Sequence, residues 1–313
     1  MRVLFWGTSP FAVPSLRALV GEGFEVVGVV TQPDRPVGRS PSAAAAPPVK
    51  EAALAEGCAP ILQPEKPRGP DFVAAIRALE PDLSVVAAYG HILPKEVIDL
   101  PPSGTVNVHA SLLPKLRGAA PIQAAIRDGF VETGVTIMRM VPALDAGPII
   151  LQARTPIAED ETYGELHLRL SELGALALVE ALTLLELGRA EEQPQDDALA
   201  TYAPKIGRDS TRIRWGDECS AVARHIRAFD PEPGALTTLR GADVKLFGAA
   251  ATDDARASAA PGEVLSVDAA GMVVATGDGT VCVTDAQPAG KRRMLAADWA
   301  RGRGVKVGDV FGG

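Results

Sequence analysis

Asn107 and His109 stand two residues apart at the end of an apolar, strand-like run, TVNVHA, and a loop containing proline follows at once. Side chains of a strand alternate between its faces, so this spacing places both on one face. Asp145 follows later, in VPALDAGPI. Histidine accepts protons near neutral pH, a neighbouring carboxylate orients the ring and raises its basicity, and an asparagine amide can donate to a developing oxyanion. Acyl transfer needs such a donor for its oxyanion.

The same three residues also have a purely structural interpretation. One asparagine, one histidine and one aspartate near strand ends can be polar groups of a core that are satisfied by neighbouring hydrogen bonds. Spacing alone favours that interpretation. Whether the three residues are structural or catalytic therefore depends on the elements around them and on the remaining motifs.

Hydrophobic patterning predicts the elements that must position these side chains. Strands are expected at 2–6, 26–30, 61–62, 83–88, 105–109, 134–140 and 148–157, and helices near 11–21, 49–56, 70–79, 121–129 and 162–187. Strands that alternate with helices predict an α/β fold: a Rossmann-like, mostly parallel sheet with helices on both faces. We assign residues 1–189 to this domain.

The chain changes character after this domain. Residues 190–208 are polar and contain prolines, which is typical of a linker. A helix near 219–228 and several short strands separated by glycine-rich turns follow, so residues 209–313 are predicted to form a small β-barrel or sandwich.

Composition excludes several classes of protein. The three cysteines, Cys58, Cys219 and Cys282, form no CxxC pair, so neither a zinc site nor a disulfide framework is expected, and a reducing cytoplasm is the simplest setting. No segment has the apolar length of a membrane span. The net charge is −8, yet residues 205–313 carry 15 Lys+Arg and 14 Asp+Glu, a weak indication that this part meets an anion.

The first strand is followed by GTSPFA, where dinucleotide-binding folds carry a phosphate-binding loop. The second and third glycines of GxGxxG are missing, so a tight turn is favoured over an NAD site and an oxidoreductase is disfavoured.

Five segments, in order and at matching spacing, resemble the methionyl-tRNA formyltransferase family. They are TQPDRPVGR (31–39), AYGHILPKEV (88–97), NVHASLLPKLRGAAPIQ (107–123), GVTIMRMVPALDAGPI (134–149) and ATGDG…QPAGKRRM (275–294). This resemblance covers the chain from end to end and implies that the C-terminal barrel is OB-like.

The resemblance implies a formyl donor, 10-formyltetrahydrofolate, and an acceptor, the α-amino group of methionine on initiator tRNA. Asn107 and His109 would stabilise the tetrahedral oxyanion, and His109, tuned by Asp145, would manage the proton of the attacking amine, directly or through water. The resemblance implies no metal, because the donor is already activated. The resemblance also implies two folate-binding segments. The first is Ser111, Leu112, Leu113 and Pro114. The second is His91, Ile92 and Leu93, which would hold the pterin mainly through backbone groups.

The resemblance also implies contacts with tRNA. Matching residues are Arg35, Arg39 and Lys50 in the first domain, and Lys291, Arg292 and Arg293 in the second. The stretch SPSAAAA after Arg39 departs from the lysines that the family often carries there. Each of these basic residues can also be a solvated surface charge that binds no ligand. The expected protein is a cytoplasmic monomer that binds neither membrane nor DNA.

Two rival functions stay open at this point. The same trio occurs in formyltransferases that act on a nucleotide sugar or another amine, which would show no dependence on tRNA. A non-catalytic RNA-binding protein is the rival of another class, and the intact trio argues against it.

Overall fold

The computed structural model describes residues 1–36, 44–252 and 259–312. The chain falls into two compact units. The first comprises Met1–Gly118, Thr133–Thr155 and His167–Tyr202, and the second comprises Ala119–Glu132, Pro156–Leu166 and Ala203–Gly313. The domain boundaries at residues 189 and 208 stay predictions.

A seven-stranded sheet forms the centre of the first unit, in the order β5-β2-β1-β6-β7-β8-β9. Its strands are β1 (Arg2–Gly7), β2 (Glu25–Val30), β5 (Ile61–Leu62), β6 (Leu83–Ala87), β7 (Thr105–His109), β8 (Glu132–Arg139) and β9 (Ile149–Pro156). The pairs from β5 to β7 are parallel, whereas β7 and β8 are antiparallel. The predicted α/β class with a mostly parallel sheet is confirmed.

Helices and one short ribbon connect these strands, and a further helix follows the last strand of the sheet. They are β3 (Arg35–Pro36), β4 (Ala44–Ala45), α1 (Val13–Gly21), α2 (Pro48–Ala55), α3 (Pro70–Ala78), α4 (Lys95–Ile98), α5 (Pro121–Arg127) and α6 (Tyr163–Glu186). The ribbon and α4 were not predicted.

The turn after β1 matches the expectation for GTSPFA. Gly7 ends β1, and a Cβ atom there would lie 2.7 Å from the Cβ of Ala12, so the close return of the chain requires a glycine. A short 3₁₀ helix, Pro10–Ala12, then leads directly into α1.

The second unit is built around a six-stranded antiparallel sheet, in the order β10-β11-β14-β13-β12 with β15 beside β14. Its elements are α7 (Cys219–Ala228), β10 (Ala235–Leu239), β11 (Ala242–Thr252), β12 (Val264–Val267), β13 (Met272–Ala275), β14 (Thr280–Pro288), β15 (Met294–Leu295) and α8 (Ala296–Arg301). The last residues pair with both edges: Gly312 bridges to Thr238, and Val310 bridges to Glu263. These bridges join the edges of the sheet, as a small barrel requires.

Within the described ranges, no helix is long and apolar enough to cross a membrane. The longest, α6, has 24 residues, but it carries polar and charged side chains throughout its length.

Candidate active site

Strand β7 presents one apolar and one polar face, as its sequence predicts. Val106 and Val108 are buried in the core. Asn107 and His109 point to the opposite face, and they are half-buried and buried, respectively. Asn107 pairs with Val86 of β6 on one side, and His109 pairs with Thr136 of β8 on the other. The pair therefore lies at the carboxyl edge of the sheet, where open α/β sheets bind ligands.

His109 is held by a backbone contact on one ring nitrogen. Its Nε2 lies 3.1 Å from the carbonyl oxygen of Leu116, and its Nδ1 lies 3.7 Å from Asp145 Oδ2. Because a carbonyl oxygen can only accept, Nε2 carries the hydrogen and donates it. A neutral ring then has its lone pair at Nδ1, on the side of the Asp145 carboxylate.

Burial is the largest influence on the proton affinity of this ring. The side chain is only 6% exposed, and desolvation lowers the pKa of His109 below its ordinary value, while the Asp145 carboxylate and the Leu116 carbonyl raise it. The sequence led us to expect an ordinary pKa near neutrality, raised by Asp145. The net lowering instead leaves His109 neutral at pH 7, ready to accept a proton.

Asp145 lies between β8 and β9 and is fixed by the turn that also holds His109. Its Oδ2 accepts a hydrogen bond of 2.7 Å from the backbone N–H of Gly118. Asp145 and Leu116 have φ angles of +47° and +60°, and Gly118 has a φ angle of +115°. Left-handed backbone at non-glycine residues is costly and concentrates at functional sites. In this turn it directs the Leu116 carbonyl and the Gly118 amide toward the pair.

Asn107 is the only asparagine in the chain. Among the described residues, its side-chain amide has no hydrogen-bond partner, although the residue is half-buried. A polar group in that position is expected to meet a ligand, because burial without a partner costs free energy. The amide is thus available to donate to an oxygen bound at this edge.

The loop with the four proposed folate residues 111–114 is firmly held. Leu113 N–H donates to Thr136 Oγ1, and Gln152 Nε2 donates to the Leu113 carbonyl. Ser111 Oγ donates to the carbonyl of Lys115. This loop is therefore rigid at its backbone, and Leu112 and Pro114 are partly exposed.

The other proposed folate segment, His91–Leu93, leaves the end of β6 next to β7. Ile92 is 88% exposed, His91 is exposed and Leu93 is buried. Within the described part of the chain, no backbone N–H or C=O of these three residues has a hydrogen-bond partner. These groups are free to meet a polar heterocycle.

The basic residues proposed to contact tRNA in the first unit have internal partners. Lys50 Nζ lies 2.7 Å and 2.8 Å from the two carboxylate oxygens of Asp34, and the Arg35 guanidinium donates to Gln32 Oε1. Arg39 lies outside the described residues. Arg35 and Lys50 are thus engaged in hydrogen bonds that a phosphate would have to open.

The cluster Lys291–Arg293 lies in the second unit between β14 and β15. Arg293 is 2.7 Å from the buried carboxylate of Asp230, and its guanidinium lies 4.3 Å from the ring centre of Phe247. Lys291 and Arg292 are exposed, and neither has a salt bridge within the ranges described. Arg293 is therefore tied to the fold, whereas Lys291 and Arg292 are available to phosphates.

Sequence reasoning missed the residues whose hydrogen bonds hold the backbone segments around His109 and Asp145. Arg117 and Gly118 belong to the motif at 107–123, but the sequence analysis assigned them no role. Gln195 belongs to the segment 190–208, which was interpreted as a linker. Their hydrogen bonds span up to 80 positions, which no local pattern reveals.

Among residues 1–36, 44–252 and 259–312, no group of three or more His, Cys, Asp or Glu side chains is placed to hold a metal ion.

Comparison with known proteins identifies the family of the whole chain. The family "Formyl transferase" matches residues 1–182, and "Formyl transferase, C-terminal domain" matches residues 205–304. The methionyl-tRNA formyltransferase of Moorella thermoacetica is 47% identical over 312 residues, which cover 100% of this chain and 99% of the relative. That of Bacillus subtilis is also 47% identical over 312 residues, covering 99% and 98%.

A solved structure has a similar fold at low sequence identity. HypX from Aquifex aeolicus, in complex with tetrahydrofolic acid, superimposes with a TM-score of 0.66 and 23% identity over 95% of this chain and 46% of the longer HypX chain.

Proposed function

This chain belongs to the methionyl-tRNA formyltransferase family, and on that premise we propose that it transfers a formyl group from 10-formyltetrahydrofolate to the α-amino group of methionine on initiator methionyl-tRNA, for translation initiation. The observation that carries the proposal is the full-length identity of 47%. The convergence of Asn107, His109 and Asp145 at one sheet edge supports it.

Attack on the formyl carbon requires a neutral amine and produces an oxyanion. The α-amino nitrogen forms a bond to the formyl carbon, and the electron pair of the C=O bond moves to oxygen. The Asn107 amide, which is half-buried and has no partner among the described residues, donates a hydrogen bond to that oxygen. His109 also faces this oxyanion, from two residues along the same strand face.

The proton released by the attacking amine goes to His109. The neutral ring accepts it at Nδ1, directly or through one water molecule, and Nε2 stays bonded to the Leu116 carbonyl. Asp145 Oδ2, 3.7 Å from Nδ1, stabilises the imidazolium that results. Collapse of the tetrahedral species re-forms the C=O bond and breaks the bond from the formyl carbon to N10. N10 takes up the proton that His109 accepted, directly or through water, and His109 returns to its neutral form.

The donor is proposed to lie between the segments 91–93 and 111–114. The unpartnered backbone groups of His91, Ile92 and Leu93 suit the pterin, and the loop Ser111–Pro114 supplies apolar contacts on a rigid backbone. Tetrahydrofolate is the named ligand of the structural neighbour HypX.

The acceptor tRNA is proposed to meet Arg35, Arg39 and Lys50 in the first unit and Lys291, Arg292 and Arg293 in the second. Exposed Lys291 and Arg292 suit phosphate binding best, since Arg293 already pairs with Asp230. The three catalytic side chains come from one chain, so a monomer is sufficient for catalysis. The proposal includes no DNA or membrane partner. The proposed setting is the cytoplasm, where charged initiator tRNA is used.

An acceptor panel tests the proposed function. The protein is incubated with 10-formyltetrahydrofolate and, separately, with initiator methionyl-tRNA, elongator methionyl-tRNA, free methionine or a nucleotide-linked amino sugar. We expect rapid formylation of initiator methionyl-tRNA and much slower reaction of the other three acceptors. Equal formylation of the amino sugar, or a rate that does not depend on tRNA, would assign the chain to the rival formyltransferases instead.

A further inference from the structure

We propose that Gln195, which lies outside both matched family ranges, is a positioning residue for formyl transfer: it fixes the backbone around Asp145 and, through Arg117, the turn that holds His109. This inference rests on the proposed function for its activity readout. It assigns a task in the reaction to a segment whose composition is that of a linker.

The side-chain amide of Gln195 is fully used in hydrogen bonds. Its NH₂ group donates to the carbonyl oxygens of Asp145 and Gly147, each at 2.8 Å. Its Oε1 accepts from Arg117 Nε at 3.1 Å and from Arg117 Nη2 at 2.8 Å. Both donors and the acceptor of this amide are therefore committed. A side chain whose polar groups are all engaged has a defined position.

The segment 145–147 is held by these bonds. Gly147 lies against β8 so closely that a Cβ atom would be 1.9 Å from the carbonyl oxygen of Arg139. Asp145 is in the left-handed region, with a φ of +47°. The segment is thus clamped between β8 on one side and Gln195 on the other. Loss of either clamp would free the Asp145 carboxylate to move away from His109.

The turn 116–118 is held by the same part of the chain. The Arg117 guanidinium is buried, with 3% of the residue exposed, and it also forms a 2.7 Å ion pair with Asp197. Thr201 receives the N–H of Leu116 at its hydroxyl and the N–H of Arg117 at its carbonyl, at 2.9 Å and 2.8 Å. The segment 195–201 therefore runs along this turn and holds it at several points.

The two held segments meet at the catalytic pair. The Leu116 carbonyl accepts from His109 Nε2, and the Gly118 amide donates to Asp145 Oδ2. Gln195 bonds to both segments at once. An error of about one ångström in such a pair lowers rates substantially, because proton transfer and charge stabilisation depend on alignment.

The test compares Gln195→Ala and Gln195→Glu with a matched control, Gln193→Ala, whose side chain is exposed in the same segment. Glutamate retains the size and the contact with Arg117 but cannot donate to the Asp145 and Gly147 carbonyls. It also serves as the test if the alanine variant does not fold. Single-turnover formyl transfer gives a rate constant and an amplitude for each protein, and donor binding is measured separately.

We expect both Gln195 variants to have rate constants roughly 10-fold below wild type, with unchanged amplitude and donor affinity, since misplaced groups slow the reaction without emptying the site. A purely structural role would lower the amplitude, which counts folded enzyme, and leave the rate constant unchanged. Rate constants within about twofold of Gln193→Ala for both variants would overturn the proposal.

A second measurement on the free protein separates this proposal from the proposed function. The His109 ring is titrated by NMR in wild type, Gln195→Ala and Gln193→Ala. Asp145 raises the pKa of His109, so a loosened Asp145 segment must move the His109 midpoint to lower pH. An unmoved midpoint in Gln195→Ala overturns the positioning role, even if wild type transfers no formyl group to any acceptor. A lowered midpoint supports the positioning role, whether or not wild type transfers a formyl group.

Discussion

Replacement of His109 by alanine is expected to slow the chemical step of formyl transfer by about 100-fold or more, because loss of a general acid–base group typically has an effect of this size. Asp145→Ala should have a similar effect. It removes the carboxylate that lies 3.7 Å from Nδ1 and also the acceptor for the Gly118 amide. Single-turnover rate constants at saturating donor and acceptor measure the step directly.

Folding should survive these replacements, because both residues lie at the polar edge of the sheet where His109 meets Asp145, rather than in the apolar core under β7. Thermal unfolding of each variant provides the control. Exposed Asp71, in the first turn of α3, offers a matched aspartate: Asp71→Ala should leave the rate constant close to wild type. Rates close to wild type in His109→Ala would remove that residue from the mechanism.

Replacement of Asn107 by alanine is expected to lower the single-turnover rate by about 100-fold to 1,000-fold, the usual effect of removing one oxyanion donor. Donor affinity should stay nearly unchanged. The Asn107 amide is proposed to bond an oxyanion that exists only along the reaction path, so its loss affects the transition state more than the ground state.

The same variant distinguishes two roles for Asn107. Donor binding by fluorescence and the single-turnover rate are measured on one preparation. A weakened donor affinity together with an unchanged maximal rate would make Asn107 a residue that binds the ground state, and its amide would then not be the oxyanion donor.

Much of the site follows from a short stretch of sequence. The alternation of TVNVHA placed Asn107 and His109 on one face of a strand, and β7 has the predicted bounds, Thr105–His109. Alternating strands of this length leave a period-two pattern that can be read without a structure. The parallel order of the strands then brings this edge next to the segment 91–93.

Long-range hydrogen bonds were beyond the reach of the sequence. Nothing in the segment 190–208 distinguishes Gln195 from its neighbours, because its partners lie 50 and 78 positions away. The lowered pKa of His109 depends in the same way on how completely the ring is buried, which is a property of tertiary packing. Sequence patterns record local periodicity, whereas burial and pairing are set by the assembled fold.

Charged residues show the same limit. KRR at 291–293 looks uniform in the sequence, and all three residues are exposed. Among the described residues, however, Arg293 pairs with the buried Asp230, whereas Lys291 and Arg292 have no salt bridge. The partner of each basic group, rather than its charge, decides whether it is available to RNA. A salt bridge to a buried carboxylate makes an arginine part of the fold.

His109 is proposed to act as a neutral base whose proton affinity is raised by Asp145 against the effect of burial. The pH dependence of the single-turnover rate in wild type and Asp145→Asn examines this role directly. The substrate ammonium is common to both proteins, so the difference between their acid-side midpoints reports the His109–Asp145 pair. Asp145 raises the pKa of His109, and its neutralisation must therefore lower that pKa. We predict an acid-side midpoint at lower pH in Asp145→Asn than in wild type; an equal or higher midpoint in the variant would contradict this role for the pair.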